Sequence, residues 1–515
     1  MFKKLKEKNV KFHPALVLFV LTIIMMIISS VGGILNLQTT YYNVNSTTGE
    51  LETQIVTINN LFNRTGLQYL ISNMLSNFLN YAPLGNLIIG LIGIGVAYKS
   101  GFLNSFFKMI TRNKPKKLFT FLVVLLGVIT SMFFDAAYVI LIPLAAILFM
   151  NLGRHPSAGI CASFAGITFG YGANIVANGL NNILVNYTQS ATKILDQNYV
   201  VNMHGNIIFT IVATLLIAYV GMIITEKHIV PKLGKYTISL EEAPAITSEL
   251  TNKERKAVTI SLLVLLIVSL ILVYCIIPGL PFSALLLYLK DKPYVAQLFG
   301  DNSYFYQGSV FIFSFLIALA GLVYGIRMRT IKNNRDLVDG MSYYLSEFSS
   351  LLVLIFFAAQ FCLIFKQTNI GVFVVVFLSN LLSNLQLGGL MLIVFSFLII
   401  IISSFFVPAA STKWAILSPV MVPMFMQSSF TPEFAQAVFR AADSSMKGIT
   451  PFFTYFVILM GFIQIYNKKR KIITLPDAMT LMLPYTIGFT VLWLLMVLAF
   501  YIIGIPLGIH TGVML

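Results

Sequence analysis

The chain has 515 residues, of which 58% are hydrophobic and 10% charged, and its mean hydropathy is +0.87. So little polar surface excludes a soluble globule of this length and makes the bilayer the solvent for most of the chain. The net charge of +16 does not signal a nucleic-acid partner, because the basic residues gather in short connections between apolar runs.

Apolar runs of 18 or more residues recur from end to end, as at 16–35, 207–224, 258–277 and 481–503. Each is long enough to cross the ~30 Å hydrocarbon layer as a helix. The first follows Lys3, Lys4, Lys6 and Lys8 in the manner of a signal peptide. It is too long for that, however, and lacks a small-residue cleavage site, so it is read as a retained span.

Of the 34 Lys and Arg, 25 fall in five short stretches: residues 1–11, 99–117, 227–256, 327–335 and 468–471. Such clustering predicts that these connections, and the N-terminus, face the cytoplasm. Residues 38–81 carry a single basic residue, Arg64, and are predicted outside, with a span around 84–97 returning inward.

This topology divides the chain into five parts. Residues 1–61 form the tail, first span and external loop, and residues 62–201 form a first module that begins and ends outside. Residues 202–335 supply scaffold or oligomerisation spans, 336–466 a second module that begins and ends inside, and 467–515 a C-terminal scaffold span.

The two modules also align in sequence. DAAYVILIP at 135–143 and STKWAILSP at 411–419 share an aromatic, an Ile-Leu pair and a proline, which sets Asp135 opposite Ser411. Farther on, Phe164-Ala165-Gly166 falls near Phe439-Arg440-Ala441. Oppositely inserted repeats of this kind place a binding site near the midplane between discontinuous helices.

Breaks are predicted where that architecture requires them. His155-Pro156 opens a short apolar helix that meets Gly166, Gly170 and Gly172, followed by Asn174, Asn178, Asn181 and Asn182. Thr431-Pro432 is an N-cap with proline at the first helical position, and Gly448 is expected to end that helix just before Thr450-Pro451. The fold class predicted is an all-α polytopic membrane protein, an inverted-repeat secondary transporter with about nine spans and two re-entrant hairpins. Ordinary kinks in continuous spans are the simpler alternative.

Five charged residues remain inside apolar segments: Asp135, Lys413, Arg440, Asp443 and Lys447. Each costs roughly 2.5–3.5 kcal/mol at a helix centre, so pairing or function is the default expectation. Arg440, Asp443 and Lys447 share one face if helical. In one reading Asp443 only neutralises Arg440 and Lys447. In the other the excess cation binds an anionic substrate, with Asp135 supplying a further carboxylate from the first module.

Lys413 beside Trp414 either snorkels or stacks. Asn174, Asn178, Asn181, Asn182, Ser411 and Thr450 offer neutral oxygens to a substrate or small cation, although each alone also reads as a helix-packing hydrogen bond. The three cysteines lack ligand spacing. No HExxH, CxxC, nucleophile elbow or phosphate loop accompanies the intramembrane charges, which disfavours an enzyme. A gated channel is a further alternative.

Over nearly its whole length the chain resembles the AbgT (p-aminobenzoyl-glutamate transporter) family of the ion transporter superfamily. The resemblance rests on YAPLGNLIIGLIGIGVAYKSG from Tyr81, FDAAYVILIPLAA from Phe134, LGRHP at Leu152 and FAGITFGYGAN from Phe164. It continues in STKWAILSPVMVPM from Ser411, FRAADS from Phe439, ITP at Ile449 and LMLPY at Leu481.

The resemblance implies a homodimer in a bacterial cytoplasmic membrane, each protomer with a transport core and an outer scaffold. It implies alternating-access transport of p-aminobenzoyl-glutamate, or export of sulfonamide-type antimetabolites, driven by sodium or protons and without another cofactor. Functional positions carried over are Ser411, Trp414, Arg440, Asp443 and Pro451, with Asn174, Asn178, Asn181 and Lys447 added for substrate and Asp135, Asn174, Asp443 and Thr450 for the coupling ion. Export of a lipid or cell-envelope precursor, or sodium-independent exchange, is the alternative within transporters.

The chain departs from the family pattern at Asn181, where an aspartate is expected, and at Lys447, where an asparagine is expected. Both changes lower the oxygen character of the region expected to hold a cation, and the Lys447 ammonium is expected to replace a coupling cation.

Overall fold

The computed structural model describes residues 12–45, 50–176, 178–237, 249–287, 293–300, 302–385, 387–467 and 472–515. The basic stretches at 1–11 and 468–471, on which the predicted orientation partly rests, lie outside the described residues, as does part of the stretch at 227–256. Among the described residues, eight helices are long and apolar enough to cross a membrane. There are nine if the pair Asn334–Ser346 and Leu351–Gln367, bent by 53°, is one span.

Helix α1 (Pro14–Ile34) starts with proline in its first turn, where the imino nitrogen leaves no hydrogen bond unmade, and the His13 side chain caps it. Strands β1 (Gln38–Val44) and β2 (Leu51–Thr57) then pair antiparallel, with Thr40 opposite Ile55. This hairpin departs from the all-α expectation. It packs one face chiefly on helices of the second half. Helices α2 (Arg64–Leu79), α3 (Ala82–Lys99) and the short α4 (Phe102–Thr111) follow.

Two stretches then repeat one order of elements: a helix broken near its middle, followed by a hairpin of two short helices. In the first, α5 (Lys116–Thr130) passes through a 3₁₀ turn at Ser131–Phe133 and a kink at Phe134 (φ 5°, ψ −78°). A π turn at Ala137–Leu141 leads into α6 (Ile142–Asn151). Its hairpin arms are α7 (Pro156–Phe169) and α8 (Gly179–Thr192).

Spans α9 (Ile207–Ile224), α10 (Asn252–Tyr274) and α11 (Ser309–Met328) come next. They are followed by the bent pair α12 (Asn334–Glu347) and α13 (Ser349–Gln367), and by α14 (Ile370–Asn384).

In the second stretch, α15 (Gly389–Phe406) stops before Pro408 and α16 (Ala410–Gln427) resumes after it. Val407 is extended (φ −120°, ψ 91°) because the proline ring bars it from the helical region. Its hairpin arms are α17 (Pro432–Asp443) and α18 (Phe456–Ile465), and α19 (Leu475–Ile503) completes the chain's spans.

A broken helix frees carbonyl groups that lipid cannot satisfy. The hairpin loops supply the donors. Asn174 Nδ2 reaches the Val128 and Ile129 oxygens (3.3 and 3.2 Å) ahead of the first break. Thr450 Oγ1 reaches the Phe405 oxygen (2.6 Å) ahead of the second. Arm α7 packs on both halves of its own broken helix, whereas α8 packs on α16 and α18 on α7, so the two repeats interlock. Close approach of α5 and α7 depends on Gly166, whose added Cβ would stand 2.5 Å from the Val124 carbonyl oxygen.

One helix boundary differs from prediction. Arm α17 ends at Asp443, not at Gly448, and residues Lys447–Ile449 form a 3₁₀ turn. Ser444 and Ser445 turn their hydroxyls back on the Arg440 and Ala441 carbonyls (2.9 and 3.1 Å), a local alternative to continued helix.

Candidate functional site

The tips of the two hairpins meet. Gly172 of the first donates its backbone N–H to Ser444 Oγ of the second (2.8 Å). The Gly172 carbonyl in turn accepts Arg440 Nε (2.9 Å), and Asn181 Oδ1 accepts Arg440 Nη1 (2.7 Å). Arg440 is 1% exposed, and its Nη2 is a buried donor without a partner among the described residues. Among the described residues, the hydrogen-bond acceptors of this guanidinium are therefore neutral.

Asp443, 2% exposed, does not pair with Arg440, contrary to the expectation from their spacing. Its two oxygens are divided between two ammonium groups. Oδ1 meets Lys413, and Oδ2 meets Lys447 Nζ at 2.5 Å. Because α17 ends at Asp443, Lys447 is not on a continued helical face but folds back through the 3₁₀ turn. Lys413 is fully buried, so it does not snorkel; its Nζ is taken by Asp443 and by Ser404 Oγ, which accepts a second bond (2.6 Å). The Lys447 ammonium also lies over the Tyr171 ring, 4.3 Å from its centroid.

Lys413, Arg440 and Lys447 against the single carboxylate of Asp443 leave this region with two more positive than negative charges. Both Asp443 oxygens are taken, so this carboxylate does not suit a sodium ion. Among the described residues, no three His, Cys, Asp or Glu side chains gather to hold a metal.

The other predicted residues divide between packing roles and cavities. Asn174 serves the first break, and Asn178 caps α8 by accepting the Asn181 N–H (3.1 Å). Thr450 serves the second break, and the neighbouring Pro451 carbonyl faces the Cys362 thiol. Trp414 is fully buried. Its indole N–H donates to Thr188 of α8 (3.0 Å) and its ring packs on Phe439, so it ties the two hairpins together.

Ser411 lines a cavity of about 470 Å³ with Thr412, Tyr41, Asn43, Asn186 and Tyr187, beneath the β-hairpin. A neighbouring cavity of about 390 Å³ shares Val372 and Thr412 with it and reaches Phe134, Pro408 and Phe453. Asp135 stands apart from Arg440. Its partners are Tyr455 (2.5 Å) and Asn86 (2.9 Å).

Tyr171, Ser404, Asn86 and Tyr455 were not singled out from sequence. A signal existed for three of them: a tyrosine between two glycines at a hairpin tip, a serine pair ahead of a proline break, and a lone amide in an apolar helix.

A family model described as "AbgT putative transporter family" matches residues 6–515. The chain belongs to the AbgT family. It is a family of transporters, so this protein is a multi-pass membrane transporter and not an enzyme. The p-aminobenzoyl-glutamate transport protein of Escherichia coli (strain K12) is 30% identical over 498 residues, covering 96% of this chain and 93% of its own length.

The MtrF structure of Neisseria gonorrhoeae, described as illuminating a class of antimetabolite efflux pumps, superposes with a TM-score of 0.50. Its identity is 31%, and the match covers 98% of each chain. The Alcanivorax borkumensis YdaH transporter, described as having an unusual topology, matches at 29% identity over 97% of this chain and all of its own, with a TM-score of 0.48.

Proposed function

We propose that this AbgT-family transporter is a secondary active carrier of a small organic anion such as p-aminobenzoyl-glutamate, working by alternating access between two oppositely inserted repeats. The observation that carries this reading is Arg440, a buried guanidinium that among the described residues has only neutral partners and an unbonded Nη2, set where the hairpin tips meet. An anion is what such a site lacks, because a buried cation without a counter-charge is costly.

Lys447 supports sodium-independent transport. Its ammonium occupies the Asp443 oxygen that a cation would need and acts as a tethered positive charge. The resemblance supports a homodimer in a bacterial cytoplasmic membrane with the N-terminus inside. The largely uncovered apolar face of α10 suits lipid or a second copy.

Purified protein in liposomes, given p-aminobenzoyl-glutamate with sodium and pH gradients imposed separately, tests the reading. Saturable uptake that persists without sodium is expected. Uptake that collapses when sodium is removed contradicts the tethered-cation role, and no saturable uptake under any gradient contradicts the substrate.

A further inference from the structure

Asp135 is a second membrane-embedded carboxyl group, separate from the charged cluster, and its surroundings are of a different kind. Asp443 is held by two ammonium groups. Glu226 is held by the Arg154 guanidinium. Glu433 lies in the first turn of α17, where the helix dipole favours an anion, and accepts the Asn202 backbone N–H and the Tyr199 hydroxyl. Each of these three is in direct contact with a cation or sits at a helix N-terminus.

The partners of Asp135 are a phenol and a carboxamide, Tyr455 Oη–H on Oδ1 (2.5 Å) and Asn86 Nδ2 on Oδ2 (2.9 Å). It also lines a cavity of about 240 Å³ with Asn86, Tyr306, Gln307 and Ser309, room for several waters at ~30 Å³ each. We infer that Asp135 is the proton-binding site of this carrier, taking up and releasing one proton through that cavity. The inference deepens the carrier reading given above and supplies the driving ion that a sodium-independent transporter requires.

Among the described residues, the other groups that face Asp135 do not supply a counter-charge. On its own element the nearest titratable group is Tyr138, which bonds Thr168 of α7. From α3 it meets Asn86, and Lys99 is ~20 Å farther along that helix. From α11 it meets the Ser309 end, with Arg327 ~27 Å away. The preceding turn brings Tyr306, and the second repeat brings Tyr455. Lys116 stands at the far end of α5. Between Asp135 and the charged cluster stand rings: Phe134 packs on Tyr171 (5.4 Å between centroids), whose face carries the Lys447 ammonium.

Proton binding here alters a contact between the repeats. With both oxygens accepting, the site is arranged for the carboxylate. Adding a proton turns one oxygen into a donor and makes it a poorer acceptor, which weakens its bond from the Tyr455 hydroxyl or the Asn86 amide. Tyr455 stacks on Tyr138 of the first repeat (4.3 Å, 15°) and follows the Lys447–Pro451 turn. Protonation state is thereby linked to the hairpin segment that holds Lys447 against Asp443.

Infrared difference spectra of the purified protein across a pH series test the assignment without any substrate. A protonated-carboxyl band that titrates in the wild type is expected to vanish in Asp135→Asn and to move its midpoint in Tyr455→Phe. In liposomes, the ratio of p-aminobenzoyl-glutamate uptake with and without a pH gradient is expected to fall to about one in Asp135→Asn.

A titrating band that survives Asp135→Asn overturns the inference, as does an unchanged gradient ratio. If Asp135→Asn does not fold, an unmoved midpoint in Tyr455→Phe overturns it instead. Absence of p-aminobenzoyl-glutamate uptake by the wild type refutes the substrate reading alone, because the infrared arm stands independently.

Discussion

The Lys413–Asp443–Lys447 triad gives the prediction with the largest expected energy. Two ammonium nitrogens bound to opposite oxygens of one carboxylate lie on the order of 5 Å apart. At an effective dielectric of about 20 their mutual repulsion is ~3 kcal/mol, which Asp443 at present offsets. Asp443→Asn removes that offset while both lysines stay buried, at 0% and 3% exposure, and breaking a buried pair in this way costs about 3–5 kcal/mol.

Lys447→Met alone removes one member of the repelling pair and leaves Lys413 matched with Asp443, so it costs about 1 kcal/mol or less. The double variant is then more stable than additivity allows, with a coupling of about 1–3 kcal/mol. The assay is detergent-driven unfolding of the four proteins followed by intrinsic fluorescence. The chain has only two tryptophans, Trp414 and Trp493, and both are fully buried. Additive effects within about 0.5 kcal/mol would refute the shared-carboxylate account.

Arg440→Lys keeps the charge but loses the fork that reaches Gly172 and Asn181 together. One charged hydrogen bond is worth ~1.5–3 kcal/mol, so kcat/KM for uptake is expected to fall at least about tenfold. Gly172→Ala would bring a methyl to 2.4 Å from the Arg440 carbonyl oxygen and 2.5 Å from Ser444 Oγ. It is expected to separate the hairpin tips, costing about 1–3 kcal/mol in the same unfolding assay and lowering counterflow.

The spans and the breaks were legible because hydropathy and proline act locally. Pro156 and Pro432 start hairpin arms wherever the chain folds, and the run lengths set the number of crossings. The choice of Arg440, Asp443 and Lys447 as a polar group also came from sequence, since charges in apolar segments stand out. Their partners did not. Asp443 takes Lys413 from thirty residues upstream, just past the second break, and frees Arg440 for the other hairpin.

The helix end at Asp443 was hidden because Gly448 and Thr450-Pro451 are the stronger local stop signals, whereas Ser444 and Ser445 act through side chains. The β-hairpin was missed for a similar reason. Thr39-Thr40-Tyr41-Tyr42 and its partner strand mix polar and apolar residues on both faces, and its cover comes from α14 and α16, far along the chain.

The most direct measurement is a structure of the protein with p-aminobenzoyl-glutamate bound. A ligand carboxylate within hydrogen-bonding distance of Arg440 Nη2, between the Gly172 and Ser444 tips, is the predicted result. A ligand confined to the cavity at Ser411 and Tyr41, with Arg440 still enclosed by protein groups alone, would contradict the account.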